Sequence, residues 1–289
     1  MRKFKNFSFA IIFFIFGYFF NEYRVVLVWK LNPYLNYFRK PAETCISEKK
    51  YIPRNSILIV GHAYGKPINS ISRGDNGISP KLIKLFEDNY SKIDSIVFAG
   101  DLLHNPSLKR WSNLFEQLDK FKIYIAPGNH DVGLGKNNAK NDIFKIATKN
   151  YSINNEYPFF FTKDKSLFIV DNSTLKNNNL EKIKKIIFTK NEFSKIFIIR
   201  HHVFTKSMSK FSNGSPLHPL IKEKSFFEEM NMLKDKNIIF IYGDGGDSGK
   251  LSLLCKEDGN IKQVISGIGE NKDDKILIIK DKYLYFKTL

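Results

Sequence analysis

The sequence predicts a layered α/β domain, on three observations. Short apolar runs alternate with amphipathic stretches of helical period from residue 56 to the C-terminus. Several of those runs end directly on Gly, Asp, Asn or His, residue types that bind cations or turn the chain sharply. A hydrophobic content of 43% over 289 residues supplies apolar surface for one large core.

The elements follow in chain order. A strand "SILIV" at residues 56–60 precedes a helix at 80–88, a strand "DSIVFA" at 94–99, a helix at 108–118 and a strand "KIYIA" at 122–126. The second half adds strands "FFFT" at 159–162 and "SLFIVD" at 166–171, then a helix from Leu180. Next come "KIFIIR" at 195–200, a helix at 226–233 and "NIIFIY" at 237–242. Three closing strands, "KQVISGIG", "KILIIKD" and "KYLYFK", complete the chain. Strand alternating with helix is the rhythm of βαβ units.

The first 24 residues stand apart. Arg2, Lys3 and Lys5 precede an uncharged stretch at residues 7–20, and eight of the first 20 residues are Phe. Fourteen residues of helix rise about 21 Å, less than the roughly 30 Å hydrocarbon core, which is the scale of a signal-peptide apolar region. No small-x-small cleavage site follows, so residues 1–24 read as an uncleaved signal anchor, with "VVLVW" at 25–29 lying in the interface. A buried helix of the domain is the competing reading, and the early cations and dense phenylalanines fit membrane insertion better. Those cations favour a cytoplasmic N-terminus, which places the domain outside the cytoplasmic membrane; Arg24, Lys30, Arg39 and Lys40 on the other flank oppose that orientation. Residues 25–55, broken by Pro33, Pro41 and Pro53, read as a linker to a domain at 56–289.

A formal charge of +17 suits anionic partners such as lipid headgroups, acidic polysaccharide or nucleic acid. The lysines are scattered, as in "EKIKKIIFTKNEFSK", and form no stripe interleaved with stacking aromatics, so nucleic acid is disfavoured. Cys45 and Cys255 are too few for a disulfide scaffold and lack metal-type spacing. One bridge tying linker to domain and two free thiols are equally compatible with the sequence.

Chemistry concentrates where strands stop: "ILIVGHAYG", "SIVFAGDLLHN", "IYIAPGNHD", "IFIIRHH" and "IYGDGGD". Ligands of α/β sheets bind at the carboxyl ends of strands. Asp101, after an apolar strand and Gly100, has two oxygens able to bridge two cations. In "PGNHD", Asn129 offers a metal its neutral carbonyl oxygen, His130 a proton donor, and Asp131 a carboxylate to hold His130 in one tautomer. A bare Pro-Gly-Asn would otherwise be only a tight turn. "RHH" at residues 200–202 adds an imidazole at another strand end.

Together, "GD" at 100–101, "GNHD" at 128–131 and "HH" at 201–202, in that order, resemble the calcineurin-like metallophosphoesterase superfamily. The resemblance runs from residue 56 to the C-terminus and implies a β-sandwich flanked by helices. It implies two divalent metals, about 3.5–4 Å apart, that clamp a phosphoryl oxygen and activate water for in-line attack. By the resemblance Asp101 bridges both, and Asn129, His201 and Asp244 complete the second metal's shell. His130 stabilises the transition state or protonates the leaving group, with Asp131 orienting it. His202 and Arg200 support the ligands or touch substrate.

Two stretches depart from the family pattern of D-x-H at the start and G-H-x-H at the end. His62 stands where the family has Asp and Tyr64 where it has His, while Asp244 replaces one late His and Asp247 flanks Gly246 at the other. The first metal's set becomes His62, Tyr64, Asp101 and Asp247. A phenol with a pKa near 10 binds a divalent ion less readily than an imidazole unless a strong Lewis acid lowers it. Purple acid phosphatases of the same superfamily do use a tyrosinate, from their second motif. His62 and Tyr64 are therefore either a rewired metal shell or substrate contacts in a one-metal site; the added carboxylates keep the local charge suited to cations.

The expected function is a metal-dependent phosphomonoesterase or phosphodiesterase at the cell envelope. It would use one or two divalent ions (Mn, Fe, Zn or Mg) on a phosphorylated small molecule, lipid or glycan. The alternative is a catalytically weak or inactive protein of this fold that binds a phosphorylated or acidic glycan in envelope assembly. Two polar, glycine-bearing loops, at residues 72–80 and 206–220, follow ligand-bearing strands and are the expected specificity determinants.

Overall fold

The computed structural model describes residues 44–65, 77–134, 138–174, 179–203, 221–245, 252–270 and 272–289. The anchor at 1–24, most of the linker, Asp247 and the greater part of both expected specificity loops lie outside these residues. Among the described residues no helix is long and apolar enough to cross a membrane.

Among the described residues twelve strands form two six-stranded sheets. The first contains, in spatial order, β1 (Ser47–Glu48), β12 (Tyr283–Thr288), β11 (Lys275–Lys280), β2 (Ser56–Val60), β3 (Ile93–Phe98) and β4 (Lys122–Ile125). The second contains β5 (Phe159–Lys163), β6 (Ser166–Val170), β7 (Lys195–Arg200), β8 (Asn237–Tyr242), β10 (Ile261–Ser266) and β9 (Leu253–Asp258). β2, β3 and β4 run parallel, as do β6, β7 and β8, so their carboxyl ends gather at one edge of each sheet.

The near-continuous apolar strands are explained by burial on both faces. Side chains alternate along a strand. Leu58 and Val60 of β2 and Ile96 and Phe98 of β3 face a helix-side core, whereas Ile57, Ile59 and Val97 face a second core between the sheets. On the other sheet Ile196 and Ile198 of β7 face helices, and Phe197 and Ile199 turn inward to that same inter-sheet core. Each fully buried side chain of this size is worth about 1.5–3 kcal/mol relative to exposure, which makes the shared layer the main support of the strand ends.

Helices α1 (Pro80–Asp88), α2 (Leu108–Gln117) and α4 (Ala139–Asn150) cover the first sheet through Leu82, Phe86, Trp111, Leu114 and Phe144. α5 (Leu180–Thr189) and α6 (Ile221–Met232) cover the second through Ile183, Ile187, Phe226 and Met230. Local chemistry sets their starts: Pro80 opens α1, and the Ser107 hydroxyl accepts the Arg110 N–H at the start of α2. A single-turn helix, α3 (Asn129–Val132), stands where the sequence suggested a loop.

The structure corrects the linker boundary. β1 pairs in parallel with β12, Ile46 and Ile52 are buried, and Cys45 is disulfide-bonded to Cys255. The domain therefore begins before residue 56. β9 and α4 were not foreseen, and α6 starts five residues ahead of the expected helix at 226.

Candidate metal centre

Five strand ends converge. His62 follows β2 by one glycine, Asp101 follows β3, Asn129 to Asp131 open α3 beyond β4, His201 follows β7 directly, and Asp244 follows β8. Backbone bonds tie the turns together: the His62 N–H donates to the Gly100 carbonyl at 3.0 Å and the Tyr64 N–H to the Asp101 carbonyl at 3.2 Å. Glycine is required at two of these turns. A Cβ on Gly128 would stand 2.1 Å from Asp101 Oδ1, and one on Gly100, whose φ is +88°, would stand 2.4 Å from His201 Nδ1.

Asp101 is the centre of the arrangement. It is buried with φ at 57°, and His62 has φ at 52°, a left-handed conformation that side-chain-bearing residues rarely adopt. The turn is held by Asp131, whose carboxylate accepts four backbone N–H groups: Asp101 (2.7 Å), Leu102 (2.8 Å), Leu103 (3.1 Å) and Gly128 (2.9 Å). Asp131 was expected to orient the His130 ring; its bonds instead clamp two ligand-bearing turns. Burial, and then the Asp101 charge, push its carboxyl up to about 6 against the pull of those donors.

Two imidazoles aim at one carboxylate oxygen. His201 places Nδ1 3.0 Å from the Ala99 carbonyl, so Nδ1 carries the proton and Nε2 faces Asp101 Oδ2 at 3.4 Å. His62 repeats the pattern, with Nδ1 3.1 Å from the Ile268 carbonyl and Nε2 3.9 Å from the same oxygen. A nitrogen lone pair repels a carboxylate oxygen unless a proton or a cation lies between them. Without a metal the proton takes that place: burial opposes it, but the Asp101 charge holds His201 up at about 9. For Asp101 burial works in the opposite sense, and His201 with the neighbouring His130 and His62 brings the carboxyl far below its usual range.

This donor set fits a divalent cation. His201 Nε2 is buried and has no hydrogen-bond partner among the described residues, and a carbonyl on each Nδ1 is the usual way a ligating histidine is oriented. Among the described residues, no three or more His, Cys, Asp or Glu side chains form a ready-made metal shell. Asp244 is buried, and its charge helps to raise the His201 imidazole.

On the third side, Asn129 Oδ1 lies 3.1 Å from His202 Nε2, and Ser173 buttresses His202 through Nδ1 at 3.3 Å and its backbone N–H at 2.9 Å. His202 thus steadies the Asn129 amide. Arg200 forms a buried ion pair with Asp171 at 3.4 Å, and Asp171 also accepts from the Asn179 amide at 2.7 Å, so Arg200 is anchored beneath the site.

An aromatic box, which sequence reasoning missed, flanks the carboxylate. His104 stacks on His130 with centroids 4.8 Å apart, and buried Tyr64 meets His62, His104 and His130 at 4.3, 5.3 and 5.4 Å. The His130 N–H donates to Asp101 Oδ1 at 3.1 Å, and its Nδ1 faces the His104 carbonyl at 3.4 Å. Burial, then the His130 and Lys140 charges, lower the His104 imidazole. The only sequence signal for His104 was its place three residues after Asp101 in "GDLLHN".

The chain belongs to the calcineurin-like phosphoesterase family, whose profile matches residues 57–267. It is thereby a metallophosphoesterase, a hydrolase of phosphoester bonds. A solved structure agrees on the fold: a dimetal phosphatase from Danio rerio superposes with a TM-score of 0.51 at 9% identity, covering 82% of this chain and 99% of that one. A protein from Thermus thermophilus is also similar, with a TM-score of 0.47 at 12% identity, covering 81% and 99%. No curated protein sequence matches the chain.

Proposed function

We propose that the chain hydrolyses phosphoesters at the cell envelope with a divalent cation held by Asp101, His201 and His62, and with Asn129, Asp244 and Asp247 available to complete the shell. The observation that carries this reading is the pair of Nε2 atoms, at 3.4 and 3.9 Å, aimed at one oxygen of Asp101. When bound, such a cation screens phosphoryl charge and lowers the pKa of a water. The chain's own groups do the rest: Asp131 locks the Asp101 and Gly128 turns, His202 holds the Asn129 amide, and His130, set by Asp101 and the His104 carbonyl, hands a proton to the leaving oxygen.

The envelope assignment draws support from the apolar stretch at 7–20 and from the Cys45–Cys255 bridge, which suits an oxidising compartment. The net charge of +17 favours an anionic substrate, a phosphorylated small molecule, lipid or glycan. Metal analysis of the purified chain, with p-nitrophenyl phosphate and bis(p-nitrophenyl) phosphate assayed under Mn, Fe, Zn and Mg, tests the reaction. Turnover that disappears in Asp101→Ala supports it, and inertness under every metal overturns it. A C-terminal topology reporter tests the side of the membrane.

A second reading, a glycan-binding protein with little or no turnover, is favoured by Tyr64 at the position of an expected imidazole. It predicts retained binding of a phosphorylated glycan together with that inertness.

A further inference from the structure

The opposite edge of the sandwich, where the parallel strands begin, carries a cavity of about 360 Å3. Lysines line it: Lys195 opens β7, Lys234 and Lys236 precede β8, and Lys282 lies with Tyr283 at the β11–β12 turn. Some of this charge is matched within the fold, because Lys236 pairs with Asp235 at 3.1 Å and the neighbouring Lys262 pairs with Glu257 at 2.5 Å. Among the described residues Lys195, Lys234 and Lys282 form no ion pair. Lys195 donates only to the Asn237 side chain at 2.8 Å, and the Lys282 ammonium rests 5.9 Å from the ring of Tyr283, which is 56% exposed.

The lining carries Lys195, Lys234, Lys236 and Lys282 against one carboxylate, Asp235, so the cavity holds more positive charge than its walls neutralise; burial, and then the charges of Lys262 and Lys282, lower Lys195 to about 8. An anion would relieve that excess. The first described residues lie at this same edge: the Lys262 ammonium donates to the Cys45 carbonyl at 3.0 Å, and Cys45 is bonded to Cys255 of β9. Upstream in the sequence lie Arg24, Lys30, Arg39, Lys40 and the apolar stretch at 7–20.

We infer that the lysine-lined cavity binds anionic phospholipid headgroups and seats the domain on the bilayer that its N-terminal segment enters. The inference rests on the membrane-anchor reading. A free phosphorylated metabolite offers the same chemistry, but a tether attached beside the cavity makes headgroup contact intramolecular, so weak individual contacts suffice. Each lysine seated at an anionic surface contributes about fivefold to occupancy. Six-residue strands then hold the metal centre about 20 Å from the headgroups, facing substrates that project outward.

The test reconstitutes the full chain in vesicles of phosphatidylcholine alone or mixed with phosphatidylglycerol, and measures acylation of Lys195, Lys234 and Lys282 by mass spectrometry. Exposed Lys145 and Lys149 of α4 serve as references. The expected result is several-fold protection of the three lysines in anionic vesicles only, with Lys195 protection lost in Lys234→Glu/Lys282→Glu. Equal labelling in both vesicle types overturns the inference. Equal protection by inorganic phosphate in neutral vesicles also overturns it, and assigns the cavity to a soluble anion. Flotation of the chain with neutral vesicles checks the anchor separately: without it the anchor reading fails, while peripheral binding to anionic vesicles still reports on the cavity.

Discussion

The two edges of this sandwich handle charge in opposite ways. At the carboxyl ends of the parallel strands, Asp101, Asp131, His201 and His62 are buried together, with the two imidazoles aimed at Asp101 and four backbone N–H groups donated to Asp131. At the amino ends, Lys195, Lys234 and Lys282 crowd a cavity with their charges unanswered by ion pairs among the described residues. The difference teaches where free energy is invested. Burying acidic and imidazole groups at one edge requires strained turns and a carboxylate clamp, whereas the lysine edge requires only long side chains at strand starts.

Changes at the catalytic edge should have the largest effects. Asp101→Ala should reduce phosphoester hydrolysis to background and abolish metal retention, read by turnover and by metal analysis. His130→Ala should lower kcat by about 10²–10⁴-fold with metal content unchanged, because its part is proton transfer. Asp131→Asn should lower stability by about 1–3 kcal/mol for each backbone donor left facing the amide NH2, measured by denaturant unfolding, since only one of its two acceptor oxygens remains for the four N–H groups that hold the Asp101 turn. If Asp131→Asn instead left stability intact and only slowed turnover, the contrast between the edges would weaken.

The other edge should respond more mildly. Cys45→Ser/Cys255→Ser should lower stability by about 2–4 kcal/mol while sparing turnover, read as a lower melting temperature. The smallest effect is that of Lys195→Met, which should raise stability by under about 1 kcal/mol near neutral pH. In the wild type the native state binds fewer protons than the unfolded chain between about 8 and 10.5, so wild-type stability should rise with pH across that window; the variant should lose that rise.

Legibility from sequence divides along physical lines. Strands buried on both faces were readable as apolar runs, and Asp101, Asn129, His201 and His202 were readable because each directly follows such a run. β9 was not, because Lys256, Glu257 and Asp258 make half of it exposed and polar; β1, with two residues, offers no period. His104 escaped because a single histidine after two leucines forms no pattern until the chain folds it onto His130. The work of Asp131 was hidden for a different reason: its four partners are backbone amides, which leave no trace in side-chain identity. Two cysteines 210 positions apart could be judged only once β9 lay beside residue 45.

That bridge also governs how the domain would bear mechanical load. Tension drawn through the polypeptide upstream of Cys45 meets a covalent crosslink into β9 before it reaches β1, whose two residues pair with β12. The pull is delivered to the outermost strand of the second sheet, and unzipping β1, the weakest seam in the first, cannot begin until the crosslink is reduced.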